Sequence, residues 1–167
     1  MTHASAKFSW SRDLGFGFLA IIAVAAASVV GQLATYPNLA PWYAGLVKPS
    51  FTPPSWVFGQ VWTTLYLLMA VAVWRILRPP AVSAERRWAL SLFFAQLALN
   101  AAWSWMFFAA RNPLLGLMNI VPQILVIIAA IVAFYRIDKT AGWCLMPLAA
   151  WVCFATVLNL AIWKLNS

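Results

Sequence analysis

An all-α bundle of five transmembrane helices is the architecture that this sequence predicts, and three observations carry the prediction. The chain is 65% hydrophobic and 8% charged, with a mean hydropathy of +0.85, a composition that would aggregate in water. Apolar runs of about 20 residues recur along it, each long enough to cross a hydrocarbon core. The charges stand between the runs and not at their centres. A β-barrel would show short alternating strands, and these runs are too long and too continuous for that. The 167 residues suit a single domain.

The first span is read at about 14–35, from LGFGFLAIIAVAAASVVGQL, whose Ala and Gly permit close helix approach. The preceding MTHASAKFSWSRD lacks the plan of a cleaved signal, so this first helix is expected to be retained. His3, the sole histidine, stands in that tail and is read as a bland residue with no metal role. Tyr36-Pro37-Asn38 is a turn signal that opens loop 1, about 36–53, with room for a short helix at 40–47 after Pro41. The loop is long for a bundle connection, and long loops are often functional.

The second span, about 54–77, starts at Pro54, which a first helical turn tolerates. A short loop around Pro79-Pro80 leads to the third span, about 88–110, which Arg111-Asn112-Pro113 ends. The fourth, about 114–135, carries Pro122, where a kink is expected. A tight connection through Arg136, Asp138 and Lys139 precedes the fifth span, about 141–163. Cys144 and Cys153, nine residues apart on that helix, fall on opposite faces and cannot pair with each other.

The net charge of +8 does not indicate nucleic acid, because the eleven Lys and Arg lie at the edges of apolar runs and form no basic patch. They read as topology signals. Eight fall on the side of the N-terminus and the second and fourth loops, and three on the side of loop 1, the third loop and the C-terminus. In a cytoplasmic membrane the N-terminus is therefore expected inside, with loop 1 and the C-terminus outside. Asp13, Glu85 and Asp138 sit beside bases on the more charged side, and no span holds a charge at mid-depth. Ion-coupled pumps and ion channels lose weight accordingly.

Trp10, Trp42, Trp74, Trp88, Trp143 and Trp163 stand at span ends, where an interfacial aromatic belt accounts for them. Trp62, Trp103, Trp105 and Trp151 lie deeper, where an indole N–H needs a partner. On the third span Gln96, Asn100, Trp103 and Phe107 share one face, while Ser91, Ala95, Ala98 and Ala102 share the opposite one. The small face suits a close contact within the bundle or across a homodimer; the amide and indole face suits a protein interior. Such amides are often only interhelical glue. Depth favours a ligand site instead: Trp62, Asn100, Trp103, Asn119, Gln123 and Asn159 fall in the half of the bilayer nearer loop 1, with Gln96 and Trp151 near mid-depth. Polar and aromatic groups converging beneath an aromatic loop describe a pocket with a lid.

That pocket holds no histidine or acid and no nucleophile–base pair, so hydrolytic or metal-assisted chemistry is not expected, and no cofactor is required. A flat, apolar, metal-free ligand fits better, its faces on indoles and any carboxylates toward Lys48, Arg111 or amide donors at the mouth.

Three segments, WYAGLVKPSFTPPSWVFGQVWTTLY at 42–66, QLALNAAWSWMFF at 96–108 and DKTAGWCLMPLAAWVCFATVLNLAIWKLN at 138–166, resemble the TspO/MBR family of tryptophan-rich sensory and translocator proteins. The resemblance implies five transmembrane helices, often a homodimer, and a pocket for tetrapyrroles such as protoporphyrin IX, for sterols in some members, and for benzodiazepine-type ligands. By motif position Tyr43 resembles the loop tyrosine over the pocket, Trp62 and Trp151 the paired pocket tryptophans, and Asn100 the pocket amide. Light-dependent porphyrin breakdown, reported for some members, would make Trp62 and Trp151 the candidate redox residues. Phe51 replaces a family tryptophan and loses an N–H donor, and Pro147-Leu148 replaces a proline–tyrosine pair and loses a hydroxyl. The sterol-recognition pattern of animal members lacks its tyrosine here, where Leu160 precedes Lys164.

Overall fold

The computed structural model describes residues 10–78 and 83–167; His3 and the Pro79-Pro80 loop lie outside them. Its main helices are α1 (Trp10–Asn38), α2 (Ser55–Leu77), α3 (Ala84–Ser104), α4 (Pro113–Ile137) and α5 (Lys139–Leu165). With a kinked stretch, Leu39–Tyr43, beyond α1 and a π-helical one, Trp105–Ala109, beyond α3, these make five segments long and apolar enough to cross a membrane. The protein is thus an all-α, multi-pass bundle.

Local chemistry sets most of the helix ends. Ser83 caps α3 by accepting from the Arg86 N–H at 3.1 Å. Asn112 caps α4 by accepting from Leu114 and Leu115 N–H at 3.0 and 3.1 Å, with Pro113 in the first turn, where its missing N–H costs nothing. Asp138 caps α5 by accepting from Ala141 N–H at 2.9 Å. The α3 extension closes with Ala110 N–H bonded to Trp105 C=O at 2.8 Å, and Arg111 turns the chain at φ 51°. Pro122 and Pro147 sit inside continuous helices on exposed faces, which neighbouring helices make tolerable in a membrane.

The first span departs from the sequence expectation. Tyr36-Pro37-Asn38 does not end it: Pro37 lies within α1, and the break comes at Ala40, whose extended backbone (φ −130°, ψ 137°) precedes the cis Ala40–Pro41 peptide. Helical geometry then resumes and lasts to residue 45, so the irregular connection to α2 covers only 46–54. A membrane-spanning helix has strong reason to keep its own hydrogen bonds, which outweighs a local turn signal.

The helices form a closed ring in the order α1, α2, α5, α4, α3 and back to α1. The main core inside it joins Leu65, Met69 and Val73 of α2 to Phe93 and Leu97 of α3, Ile127 and Phe134 of α4, and Leu145, Leu148 and Val152 of α5. Two glycines allow its closest approaches. A Cβ at Gly116 would sit 2.9 Å from Asn159 Oδ1 and 3.1 Å from the Phe107 ring, and one at Gly142 would sit 2.8 Å from the Tyr135 backbone. At the end opposite the loop, Arg75 reaches Asp138 with Nε at 3.0 Å from Oδ1 and Nη2 at 2.8 Å from Oδ2, tying α2 to the α4–α5 corner.

Candidate functional site

The residues 42–58 bring the loop down on the bundle. Trp42 and Tyr43 meet Phe107 and Phe108 of the α3 extension, at centroid distances of 5.6 and 6.2 Å for Trp42 and 6.2 and 5.4 Å for Tyr43. Phe107 stacks on Trp103 at 5.0 Å. With Leu46, Phe58, Phe154, Leu158 and Ile162 these rings build a second apolar cluster directly beneath the loop. Trp42 is therefore part of this layer as well as a span-end tryptophan.

Two further contacts hold the loop. The Asn166 side chain pairs with the Val47 backbone in both directions, Val47 N–H donating to Oδ1 and Asn166 Nδ2 donating to Val47 C=O, each at 2.9 Å. Lys48 Nζ lies 4.6 Å from the Tyr43 ring centroid and donates to the carbonyls of Ala44 and Leu46 at 3.3 and 3.2 Å. Its charge thus covers the end of the short helix, and a carboxylate reaching it would compete with those carbonyls. Arg111, another cation near this end, donates from Nε to Asn38 Oδ1 at 3.2 Å.

Below the loop, α3 is two-faced as its spacing predicts. Gln96, Asn100 and Phe107 are buried and Trp103 is half-buried, while Ser91, Ala95 and Ala98 are exposed and Ala102 is half-buried. Part of the polar set is mutually satisfied. Trp103 Nε1 donates to Asn159 Oδ1 at 3.1 Å, Asn159 donates to Pro113 C=O at 2.7 Å, and Asn119 donates to Leu99 C=O at 2.9 Å. These are interhelical ties of α3, α4 and α5. Gln96 and Asn100 differ: Gln96 Nε2 reaches only the soft acceptor Met69 Sδ at 3.5 Å, while Gln96 Oε1 and Asn100 Nδ2 are buried with no hydrogen-bond partner. An acceptor and a donor one helical turn apart are thus left without partners in the interior.

The remaining expected residues divide. Trp62 and Trp151 are half-buried against the main core, Trp62 tilted against Tyr66 at 5.4 Å and Trp151 against Phe58 at 5.7 Å and Phe154 at 5.4 Å. Phe51 is half exposed and meets Phe154 edge-on at 6.4 Å. Leu148 is fully buried in the core. Pro147 is not brought to the set; it shares the outward face of α5 with Trp143, Met146 and Cys153. Trp105, expected deep, is half exposed and donates its indole N–H to Val30 C=O of α1 at 3.1 Å. Seven residues after Ala98, it falls on the same outward face of the helix.

Sequence reasoning did not single out Phe58, Phe108, Phe154 or Asn166. Phe58 stands four residues before Trp62 and Phe154 three after Trp151, so helical spacing already paired them with residues that were singled out. Asn166 carried no signal, because its partner is 119 residues away in sequence.

Comparison with known proteins agrees with this architecture. Residues 18–164 match the TspO/MBR family. The chain is 40% identical over 147 residues to the tryptophan-rich protein TspO of Archaeoglobus fulgidus, covering 88% of this chain and 94% of that protein. It is 35% identical over 158 residues to the translocator protein of Homo sapiens, covering 94% and 91%. It is also 35% identical to the tryptophan-rich sensory protein of Cereibacter sphaeroides, over 75% of this chain and 77% of that one. With a family match across most of its length and relatives at this identity, the chain belongs to the TspO/MBR family.

Proposed function

We propose that this protein binds flat, apolar ligands of the tetrapyrrole class inside the bundle beneath the loop, in a translocator or sensory role. The observation that carries the reading is the pair of unpaired amide atoms, Gln96 Oε1 and Asn100 Nδ2. A buried polar atom without a partner costs about 1–3 kcal/mol, so a ligand that both donates and accepts gains by pairing with them. The half-buried rings of Tyr43, Trp62, Trp103 and Trp151 supply apolar faces for such a ligand. Leu148 provides an apolar floor, Phe51 a rim, and Lys48 and Arg111 the charge for ligand carboxylates. The names of the relatives, translocator and sensory protein, support the role.

The test is a titration of the purified protein with protoporphyrin IX, followed by tryptophan fluorescence. Saturable quenching is expected, weakened about tenfold in Asn100→Leu, as loss of a hydrogen bond to a ligand worth about 1.4 kcal/mol would give. Linear, unsaturable quenching in the native protein overturns the reading and leaves the indoles as packing. Trp62 and Trp151, half-buried and next to that interior, are the residues a light-driven electron exchange with a bound porphyrin would use. If Trp62→Phe/Trp151→Phe loses porphyrin absorbance under illumination as fast as the native protein does, that activity does not run through them.

The uneven Lys and Arg count supports an N-terminus on the cytoplasmic side, with the loop and C-terminus opposite. The Ser91, Ala95, Ala98 and Ala102 face is the one we assign to a homodimer, since its small residues face outward and leave room for a second backbone.

A further inference from the structure

A second site stands at the far end of the bundle, between α1 and α2 and facing the membrane. A groove of about 550 Å³ runs there with Gly17 on its α1 side and the Trp74 indole on its α2 side. Leu14, Phe18 and Ile21, 70, 66 and 57% exposed, continue it along α1. Its charged end is formed by Asp13 and Arg78. Asp13 begins the first candidate span and Arg78 directly follows the second, so both stand at the depth of lipid headgroups. From Asp13 to Ile21 the helix rises roughly 12 Å, the length of half an acyl chain.

The charged end is built and not incidental. Trp74 Nε1 donates to the Asp13 carbonyl at 3.1 Å, and the Arg78 guanidinium lies 4.8 Å from the Trp74 ring centroid. Asp13 is more than nine-tenths buried. Arg78 Nε approaches Asp13 Oδ2 at 3.3 Å, an ion-pair distance, yet the two are not aligned as a hydrogen bond, and Oδ2 has no hydrogen-bond donor. A carboxylate oxygen removed from water asks for an N–H. The groove beside it, flanked by two membrane-spanning helices, asks for a hydrocarbon chain.

We propose that this groove is a binding site for an aminophospholipid. One acyl chain lies along Gly17, Phe18 and Ile21, the primary ammonium donates to Asp13 Oδ2, and the phosphate takes the charge of Arg78. One acid and one base in contact have no net charge, so their complement is a zwitterion. A quaternary headgroup has no N–H for the buried oxygen, and a glycerol headgroup carries no positive charge to meet it.

Native mass spectrometry of the full chain in mild detergent tests this. The probes are synthetic phosphatidylethanolamine, phosphatidylcholine and phosphatidylglycerol with matched acyl chains. Retention of phosphatidylethanolamine is expected to exceed that of the other two by about tenfold, the factor equivalent to about 1.4 kcal/mol. Asp13→Asn is expected to abolish the preference while the protein still retains lipid. Equal retention of phosphatidylethanolamine and phosphatidylcholine overturns the proposal; so does phosphatidylglycerol held as well as phosphatidylethanolamine, or a preference that survives Asp13→Asn. Should Asp13→Asn fail to fold, Gly17→Leu decides. A Cβ at residue 17 stands 3.7 Å from Trp74 Cδ1, an ordinary contact, so the longer side chain enters the groove without displacing the backbone. Several-fold lower retention of phosphatidylethanolamine is expected, and unchanged retention removes the groove as the site.

Discussion

Single residues in this bundle are of two kinds, those that close the structure and those that leave it open. Gly116 closes it, because Asn159 Oδ1 and the Phe107 ring occupy the space a methyl would need. Gly116→Ala is expected to lower stability by about 1–3 kcal/mol and to separate Trp103 from Asn159, which denaturation in detergent with Trp103 as the reporter would register. Asn100 leaves the structure open. Replacing it with Leu removes a buried donor that has no partner, so the ligand-free protein should be as stable as the native one or more so, even as porphyrin binding weakens. A stability loss in Asn100→Leu comparable to that of Gly116→Ala would mean that Asn100 serves as interhelical glue. The sequence placed Gln96 and Asn100 on the interior face of α3 through their four-residue spacing, but it held no sign that Asn159 of α5 is satisfied and Asn100 is not. That difference depends on Trp103 and Pro113 arriving from other parts of the chain.

At the scale of elements, Asp138 performs two tasks at one corner. It caps α5, and it accepts a forked contact from Arg75 of α2. The hydrogen bonds from Arg75, followed by those from the α5 backbone, hold its carboxyl below the usual carboxylate range. A lowered folded-state value stabilises the fold above the unfolded pKa of about 4, and the contribution disappears as pH falls through the folded value. Thermal stability in detergent should therefore drop below about pH 4 in the native protein, and Arg75→Gln should flatten that part of the profile. The loop is the second element with a specific dependence. Asn166→Ala removes both bonds to Val47 and leaves the aromatic layer intact. Hydrogen exchange of 46–48 should rise while α5 stays protected; unchanged exchange would show that Trp42 and Tyr43 hold the loop alone.

For the whole molecule, the ring order α1, α2, α5, α4, α3 puts the loop over one end and the Asp13–Arg78 groove at the other. The exposed small face of α3 is available to a second copy. If the proposed homodimer uses it, Ala98→Phe should reduce the mass measured by light scattering in detergent from that of two chains to that of one.

The sequence by itself determined the class, the five spans and the inward face of α3, because hydropathy and a 3.6-residue period are written locally and a membrane enforces both. It also marked the loop as unusual, through its aromatic and proline content. Only the tertiary structure decided where that loop begins. Pro37 reads as a stop, yet the membrane's demand for paired backbone carries α1 through it to the break at Ala40. Tertiary structure also decided that the Trp105 indole finds Val30, that Asn166 fastens the loop, and which buried amides keep an unpaired atom. Each of these depends on partners far apart in sequence, whose meeting is fixed by the packing of the ring and by no local pattern.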